Sequence, residues 1–194
     1  VGVKEISKVT NQVLPERFEL MYPEGQIQAC VNHLGTEIQT WVKEAEAKTK
    51  KDVVCIPIMR GGFYFAADLM RRFTSSVELA PITTSSYSSS TNNTPHITVQ
   101  VDTRALDVNG RAVLLIDDIC DSGRTLAVLS EKLQLAGVAE VHSAVLIYRK
   151  TSNVMHDPRW KGFSYDGTEW FVGYGMEDSG RWRNLTSVYR IRGS

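Results

Sequence analysis

Three stretches of this chain are apolar at almost every position yet no longer than a strand: Val53-Val54-Cys55-Ile56-Pro57-Ile58, residues 111–116 ending in Val113-Leu114-Leu115-Ile116, and residues 141–148. A strand with one face in water alternates in polarity, so a continuous apolar run is one covered on both faces. Gly61-Gly62 follows the first run and opens a helical pattern over 63–73; Ser122-Gly123 follows the second and opens another over 124–136, which Gly137 stops. Strands that alternate with helices in this way predict an α/β chain built on a parallel sheet.

Ahead of the first run, Ile27, Val31, Leu34, Ile38, Trp41, Val42 and Ala45 recur at helical spacing, with Glu44/Lys48 and Glu46/Lys50 as i,i+4 pairs. This predicts a long amphipathic helix over 26–50. Residues 77–82 contain Pro81 and suit a strand near a sheet edge, because proline cannot donate to an interior ladder. From 83 to 94 every residue except Tyr87 is Ser, Thr or Asn, a composition too polar to hold itself rigid. Residues 96–101 alternate as a strand, Asn109-Gly110 marks a turn, and the tail from Asn153 reads as irregular and aromatic.

A length of 194 residues suits one domain with a real core. The 22 basic and 22 acidic side chains cancel, which removes the overall positive field that would draw the chain to nucleic acid or to acidic membranes. Cys30, Cys55 and Cys120 are far apart, lack metal-ligand spacing and read as buried thiols of a reducing compartment. No apolar run approaches the roughly 18 residues of a membrane span, so a cytoplasmic protein is expected. The start at Val1 rather than Met reads as a trimmed N-terminus.

The chemistry concentrates in Val113-Leu114-Leu115-Ile116-Asp117-Asp118-Ile119-Cys120-Asp121-Ser122-Gly123-Arg124-Thr125. A buried strand delivers two adjacent carboxylates to the sheet edge where ligands of open parallel sheets bind. The turn 121–125 then offers backbone N–H groups at a helix N-terminus together with the Ser122 and Thr125 hydroxyls, a concave donor set suited to a phosphate monoester. Carboxylates accept hydrogen bonds from sugar hydroxyls and can hold Mg2+, so a ribose phosphate satisfies both halves. Taken singly, such residues more often end a strand as a solvated turn or cap a helix; the whole string in order favours the ligand reading.

That string closely resembles the phosphoribosyl-pyrophosphate motif of the type I phosphoribosyltransferases, and the stretch from about 53 to 183 is similar to their hypoxanthine-guanine (6-oxopurine) branch. Met59-Arg60-Gly61-Gly62 matches the loop that binds pyrophosphate in the family through a non-proline cis peptide, which places that bond between Met59 and Arg60. Ser86-Tyr87 matches the start of the flexible loop that closes over the reacting centre. Trp170-Phe171-Val172-Gly173-Tyr174-Gly175 matches the segment whose aromatic residue stacks on the purine and whose backbone reads its edge. Arg183 matches the arginine on pyrophosphate.

The resemblance implies a single domain over 1–194. A parallel-sheet core at about 26–150 would carry helices on both faces, and a small hood would form from the terminal segments, about 1–25 and 151–194. It further implies Mg2+ as cofactor, phosphoribosyl pyrophosphate and a purine base as partners, a homodimer or homotetramer, and Asp121 as the base for the purine N7 proton. The expected ribose and 5-phosphate contacts are Asp117, Asp118, Asp121, Ser122, Gly123, Arg124 and Thr125. Those for pyrophosphate are Arg60, Gly61 and Arg183.

Two positions depart from the family. Arg149, with Lys150 beside it, stands where the family has a lysine reaching the purine O6, so Arg149 joins Trp170, Phe171 and Val172 as the expected purine contacts. Glu177, followed by Asp178, stands where the family has a metal-associated aspartate, which makes Asp117, Asp118 and Glu177 the expected metal set. Arginine is a rigid fork and lysine a point charge, so a transferase preferring xanthine stays open. A nucleotide-sensing RNA-binding regulator on the same fold is the alternative of another class, and the balanced charge counts against it.

Overall fold

Every strand pairing in the main sheet of the computed structural model is parallel. The structure describes residues 13–84, 106–150 and 154–193. The three apolar runs become β2 (Val53–Met59), β5 (Ala112–Cys120) and β6 (Glu140–Arg149), side by side in the order β2-β5-β6. The first edge is completed by β3 (Val77–Leu79) and β4 (Ile82–Thr83), both on β2, and the other by β7 (Trp160–Tyr165) on β6. The single strand expected over 77–82 is therefore broken at Ala80-Pro81. Ala80 still donates its N–H to Cys55 O at 3.0 Å, and Pro81, which has no N–H, sits where the ladder lapses.

Side-chain alternation splits the sheet into two covered faces. Val53, Cys55, Leu114, Ile116, Ala144 and Leu146 pack with α1 (Glu24–Thr49) and α2 (Phe63–Met70), while Val54, Ile56, Val113, Leu115 and Val145 pack with α3 (Arg124–Leu135). The apolar stripe of α1 is buried as its spacing requires, and the helix ends at Lys50 in the left-handed conformation with φ 59°. Helix α2 stops at Met70, three residues short of the expected end, because the last turns tighten: Arg72 and Phe73 donate to Leu69 O and Met70 O rather than four residues back. Among the described residues no helix is long and apolar enough to cross a membrane.

The tail corrects the sequence reading. Residues 160–165, expected within the irregular aromatic segment, form β7, with Ala144 opposite Trp160 and Arg149 opposite Tyr165. Gly162 hides this strand in the sequence, yet the fold needs it: a Cβ there would lie 2.5 Å from Leu146 O and 2.7 Å from Cys30 Sγ. Farther on, β8 (Phe171–Val172) and β9 (Val188–Ile191) join β1 (Phe18–Tyr22) in a small antiparallel sheet, order β1-β9-β8. Its own core holds Leu14, Phe18, Val172, Leu185, Tyr189 and Ile191.

The middle of β5 is buried in both faces of the core. Leu114 is fully buried against the α1/α2 layer, whereas Leu135 at the end of α3 is 83% exposed. Leu114→Ala is expected to destabilise the fold by about 2–5 kcal/mol, and Leu135→Ala to stay within about 0.5 kcal/mol, both read from denaturant midpoints. Equal midpoints for the two variants would refute this account of the core.

Candidate active site

Parallel register brings the carboxyl ends of β2, β5 and β6 to one rim: Pro57 lies opposite Ile116, and Cys120 opposite Tyr148. The residues after those positions therefore share one space. β5 runs through Cys120, so Asp117 and Asp118 sit within the end of the strand rather than beyond it, as the sequence pattern suggested. Neighbours on a strand point to opposite faces, and the two acids divide accordingly. Asp117 lines a cavity of about 160 Å³ together with the turn 121–125, and Asp118 lines a second of about 220 Å³ with Arg149, Trp170 and Phe171. Ile119 and Asp121 line both.

The first cavity is formed around the turn expected to cradle a phosphate. Helix α3 begins at Arg124 directly after Gly123, which has φ +71°, and Arg124 N–H donates to Ser122 Oγ at 3.4 Å. From behind, Met155 N–H donates to Ser122 O at 2.8 Å, and a Cβ at position 123 would fall 2.6 Å from His156 O. Glycine is thus required twice, for the left-handed backbone and for the close passage of the 155–156 segment. His156 is fastened in turn to the buried Ser143 of β6, 2.7 Å from its Nε2. The sequence offered no sign of this support, because the only link between 156 and 123 is spatial.

Burial and the mutual repulsion of adjacent carboxylates hold Asp117 well above the usual carboxylate range. Asp118 is raised too, chiefly by burial, although the amides of Asp118 and Ile119 and the nearby Arg183 charge oppose the shift. Each carboxylate accepts one local hydrogen bond: Asp118 N–H to Asp117 Oδ1 at 3.0 Å, and Ile119 N–H to Asp118 Oδ1 at 2.8 Å. Across this pair lies the 59–62 loop. The peptide between Met59 and Arg60 is cis, as the resemblance implied, and a Cβ at Gly61 would overlap the Asp118 carboxylate. Arg60 itself is exposed. Among the described residues no three acidic, His or Cys side chains gather into a metal cage.

The second cavity has an aromatic, cationic wall. Trp170 is 57% exposed and its indole N–H donates to Glu177 O at 2.6 Å, so one ring stands at the cavity mouth with its orientation fixed. Phe171 is buried behind it. Val172 turns its side chain into the hood core, as the residue after Phe171 on a strand must, so only its backbone remains available to a ligand. Arg149 is buried and paired with Asp121. Arg183 donates to Gly175 O at 2.6 Å and pairs with Glu177 at 3.3 Å. Gly175, at φ +104°, packs directly on Gly61 O, which brings the segment after β8 against the 59–62 loop. Met176 also lines this cavity, and the sequence reading missed it. Lys150 instead points to Asp166 at 3.5 Å and is exposed. Ser86 and Tyr87 lie outside the described residues.

A family model described as the phosphoribosyl transferase domain matches residues 30–179. The chain belongs to the phosphoribosyltransferase family. Hypoxanthine phosphoribosyltransferase of Escherichia coli (strain K12) is 32% identical over 174 residues, covering 89% of this chain and 94% of that protein. Hypoxanthine-guanine phosphoribosyltransferase of Dictyostelium discoideum is 31% identical over 178 residues, covering 90% and 95%. A solved structure of a hypoxanthine phosphoribosyltransferase from Staphylococcus aureus matches with a TM-score of 0.76 at 26% identity, covering 90% of this chain and 91% of that one.

In this phosphoribosyltransferase the buried acidic pair costs stability once it is ionised. A carboxyl group whose folded pKa is raised is comfortable when protonated, so the cost is absent at low pH and grows as pH rises through the raised value. Asp117→Asn keeps the acceptor for the Asp118 amide and removes one charge. The ligand-free variant is expected to melt about 2–4 °C higher at neutral pH, with the gain fading toward pH 4 in thermal scans. An unchanged or lower melting temperature at neutral pH would contradict this.

Proposed function

We propose that the chain is a 6-oxopurine phosphoribosyltransferase of purine salvage, which transfers the 5-phosphoribosyl group from phosphoribosyl pyrophosphate to hypoxanthine or guanine, giving IMP or GMP and pyrophosphate. The observation that carries this reading is the pair of cavities joined at Ile119 and Asp121. One is a backbone cradle for a phosphate; the other is an aromatic slot for a flat base, with cations at its rim. A ribose spanning the junction would bring its C1 between them.

On this reading the 5-phosphate occupies the 121–125 turn and meets N–H groups at the start of α3. The ribose hydroxyls donate to Asp117 and Asp118, and the purine lies on the Trp170 face. Pyrophosphate leaves toward the backbone of 60–62 and Arg183, where cationic and N–H groups offset the charge that develops as the C1–O bond breaks. The purine N9 forms the new bond to C1, and Asp121 accepts the proton from N7. Catalysis is then mostly positioning and charge stabilisation.

The donor set fits Mg2+ that arrives with its substrate. Two adjacent buried acids, with Asp117 raised further by the Asp118 charge, gain from a cation, and among the described residues no third acidic, His or Cys side chain closes a cage around them, which leaves room for the water and phosphate oxygens that Mg2+ retains. Asp117 and Asp118 would hold it directly or through water, with Glu177 near the pyrophosphate end. When bound, it would neutralise the leaving group.

Pyrophosphate release with Mg2+ and phosphoribosyl pyrophosphate, measured against hypoxanthine, guanine, xanthine and adenine, tests reaction and specificity together. The 6-oxo bases are expected to react, and adenine, which presents an amino donor to the Arg149 side, to fall at least about 100-fold lower in kcat/KM. Asp121→Asn is expected to lose about 100-fold or more in kcat with hypoxanthine. Release that does not depend on any base, or an Asp121→Asn enzyme with full turnover, would overturn the reading.

A further inference from the structure

Arg149 is the most heavily committed cation of the site. Cys120 and Tyr148 are register partners on β5 and β6, so the next side chains, Asp121 just past the end of β5 and Arg149 at the end of β6, emerge side by side at the rim. Arg149 Nε donates to Asp121 Oδ1, one terminal nitrogen donates to Gly167 O, and the other donates to Glu169 O at 3.1 Å. The guanidinium carbon stands 5.5 Å from the Tyr165 ring centre and 5.2 Å from that of Phe171. Asp121 differs in its surroundings: its side chain is 59% exposed on a polar turn, and that of Arg149 is 11% exposed. The buried partner is therefore the fixed one.

We propose that Arg149 is a positioning residue for the transfer reaction: it holds the proton-accepting carboxylate of Asp121 against the purine wall by gripping that wall, at the Gly167 and Glu169 carbonyls, with the same rigid fork. The inference rests on the reading of Asp121 as proton acceptor. The geometry requires arginine. Its planar guanidinium presents N–H groups in several fixed directions, and three acceptors are met by three different nitrogens. A lysine ammonium has three N–H donors but gathers them on one atom, so it lacks the span with which the guanidinium meets three acceptors from three separate nitrogens. A mobile carboxylate on an exposed turn would spend much of its time away from the N7 proton, and a misplacement of about 1 Å is enough to cost roughly 100-fold in rate. Arg149 thus acts on kcat through Asp121, in addition to lining the cavity.

A double-mutant cycle tests this, with kcat and KM for hypoxanthine and for phosphoribosyl pyrophosphate measured in the wild type, R149M, D121N and R149M/D121N. Methionine fills the volume without donors. R149M is expected to lower kcat about 10- to 100-fold, with KM for phosphoribosyl pyrophosphate within about 2-fold, and the double variant to lie within about 3-fold of D121N, since Arg149 then has no carboxylate to place. R149K, which can still reach Asp121, is expected to recover part of kcat. If R149M melts below the assay temperature, R149K in the two Asp121 backgrounds supplies the same comparison. Losses that multiply in the double variant, or an R149M effect confined to the KM of hypoxanthine, would overturn the positioning role while leaving Asp121 as acceptor. Full turnover by D121N would remove the acceptor reading itself, and the inference with it.

Discussion

Two carboxylates held next to each other at the end of a buried strand, with a glycine loop lying directly on one of them, constrain everything else at this rim. Asp117 and Asp118 cannot move apart, because they are consecutive on β5, which is paired with β2 as far as Ile116 and with β6 through Cys120. Gly61 cannot carry a side chain, because a Cβ would enter the Asp118 carboxylate, and Gly175 cannot carry one because Gly61 O is already there. Acid pair, loop and hood are stacked by successive close contacts. A shift in one is passed to the next through steric contact rather than through long-range fields.

The electrostatics follow from the same stacking. The chain has no net charge, yet its rim sorts the signs locally: Asp117 raised by burial and by the Asp118 charge, Asp118 raised by burial, Arg183 bound to Gly175 O and Glu177, Arg149 bound to Asp121. The two cations are held by backbone carbonyls as well as by acids, so their positions do not depend on the ligand. Asp117 is left beside the Asp118 charge. Such a site favours a ligand that carries hydroxyl donors or a cation to the acids and oxyanions to the arginines and amides. Phosphoribosyl pyrophosphate with Mg2+, the substrate proposed above, has this pattern.

Much of the core and many of the residues that gather at the rim could be read from residue order, because they depend on local rules. Continuous apolar runs give doubly covered strands, and the α1 stripe repeats at 3.6 residues. The acid pair, cradle turn and helix start occur within nine consecutive residues, so chain connectivity alone keeps them close. The cis peptide at Met59 and the aromatic Trp170 segment were legible through resemblance. Legibility failed where local pattern was weak: β7 was hidden by Gly162, the short strands β1, β8 and β9 have too few residues for a period to emerge, and Pro81 divided one expected strand into two.

Residue order could settle which groups are available but not which of them meet. That Asp117 and Asp118 open into different cavities depends on strand pleat and on what each face is packed against. That Val172 is withdrawn while Trp170 stands at the mouth depends on how the hood sheet seats its own core. Above all, the contact between Asp121 and Arg149 spans 28 positions and exists because β5 and β6 are paired in one register. A one-residue slip would turn Arg149 to the other face of the sheet and leave the carboxylate without its partner. Local propensities fix an element's type over a few residues, whereas register is chosen by the burial of both faces of the whole sheet, and that choice makes the rim a single site.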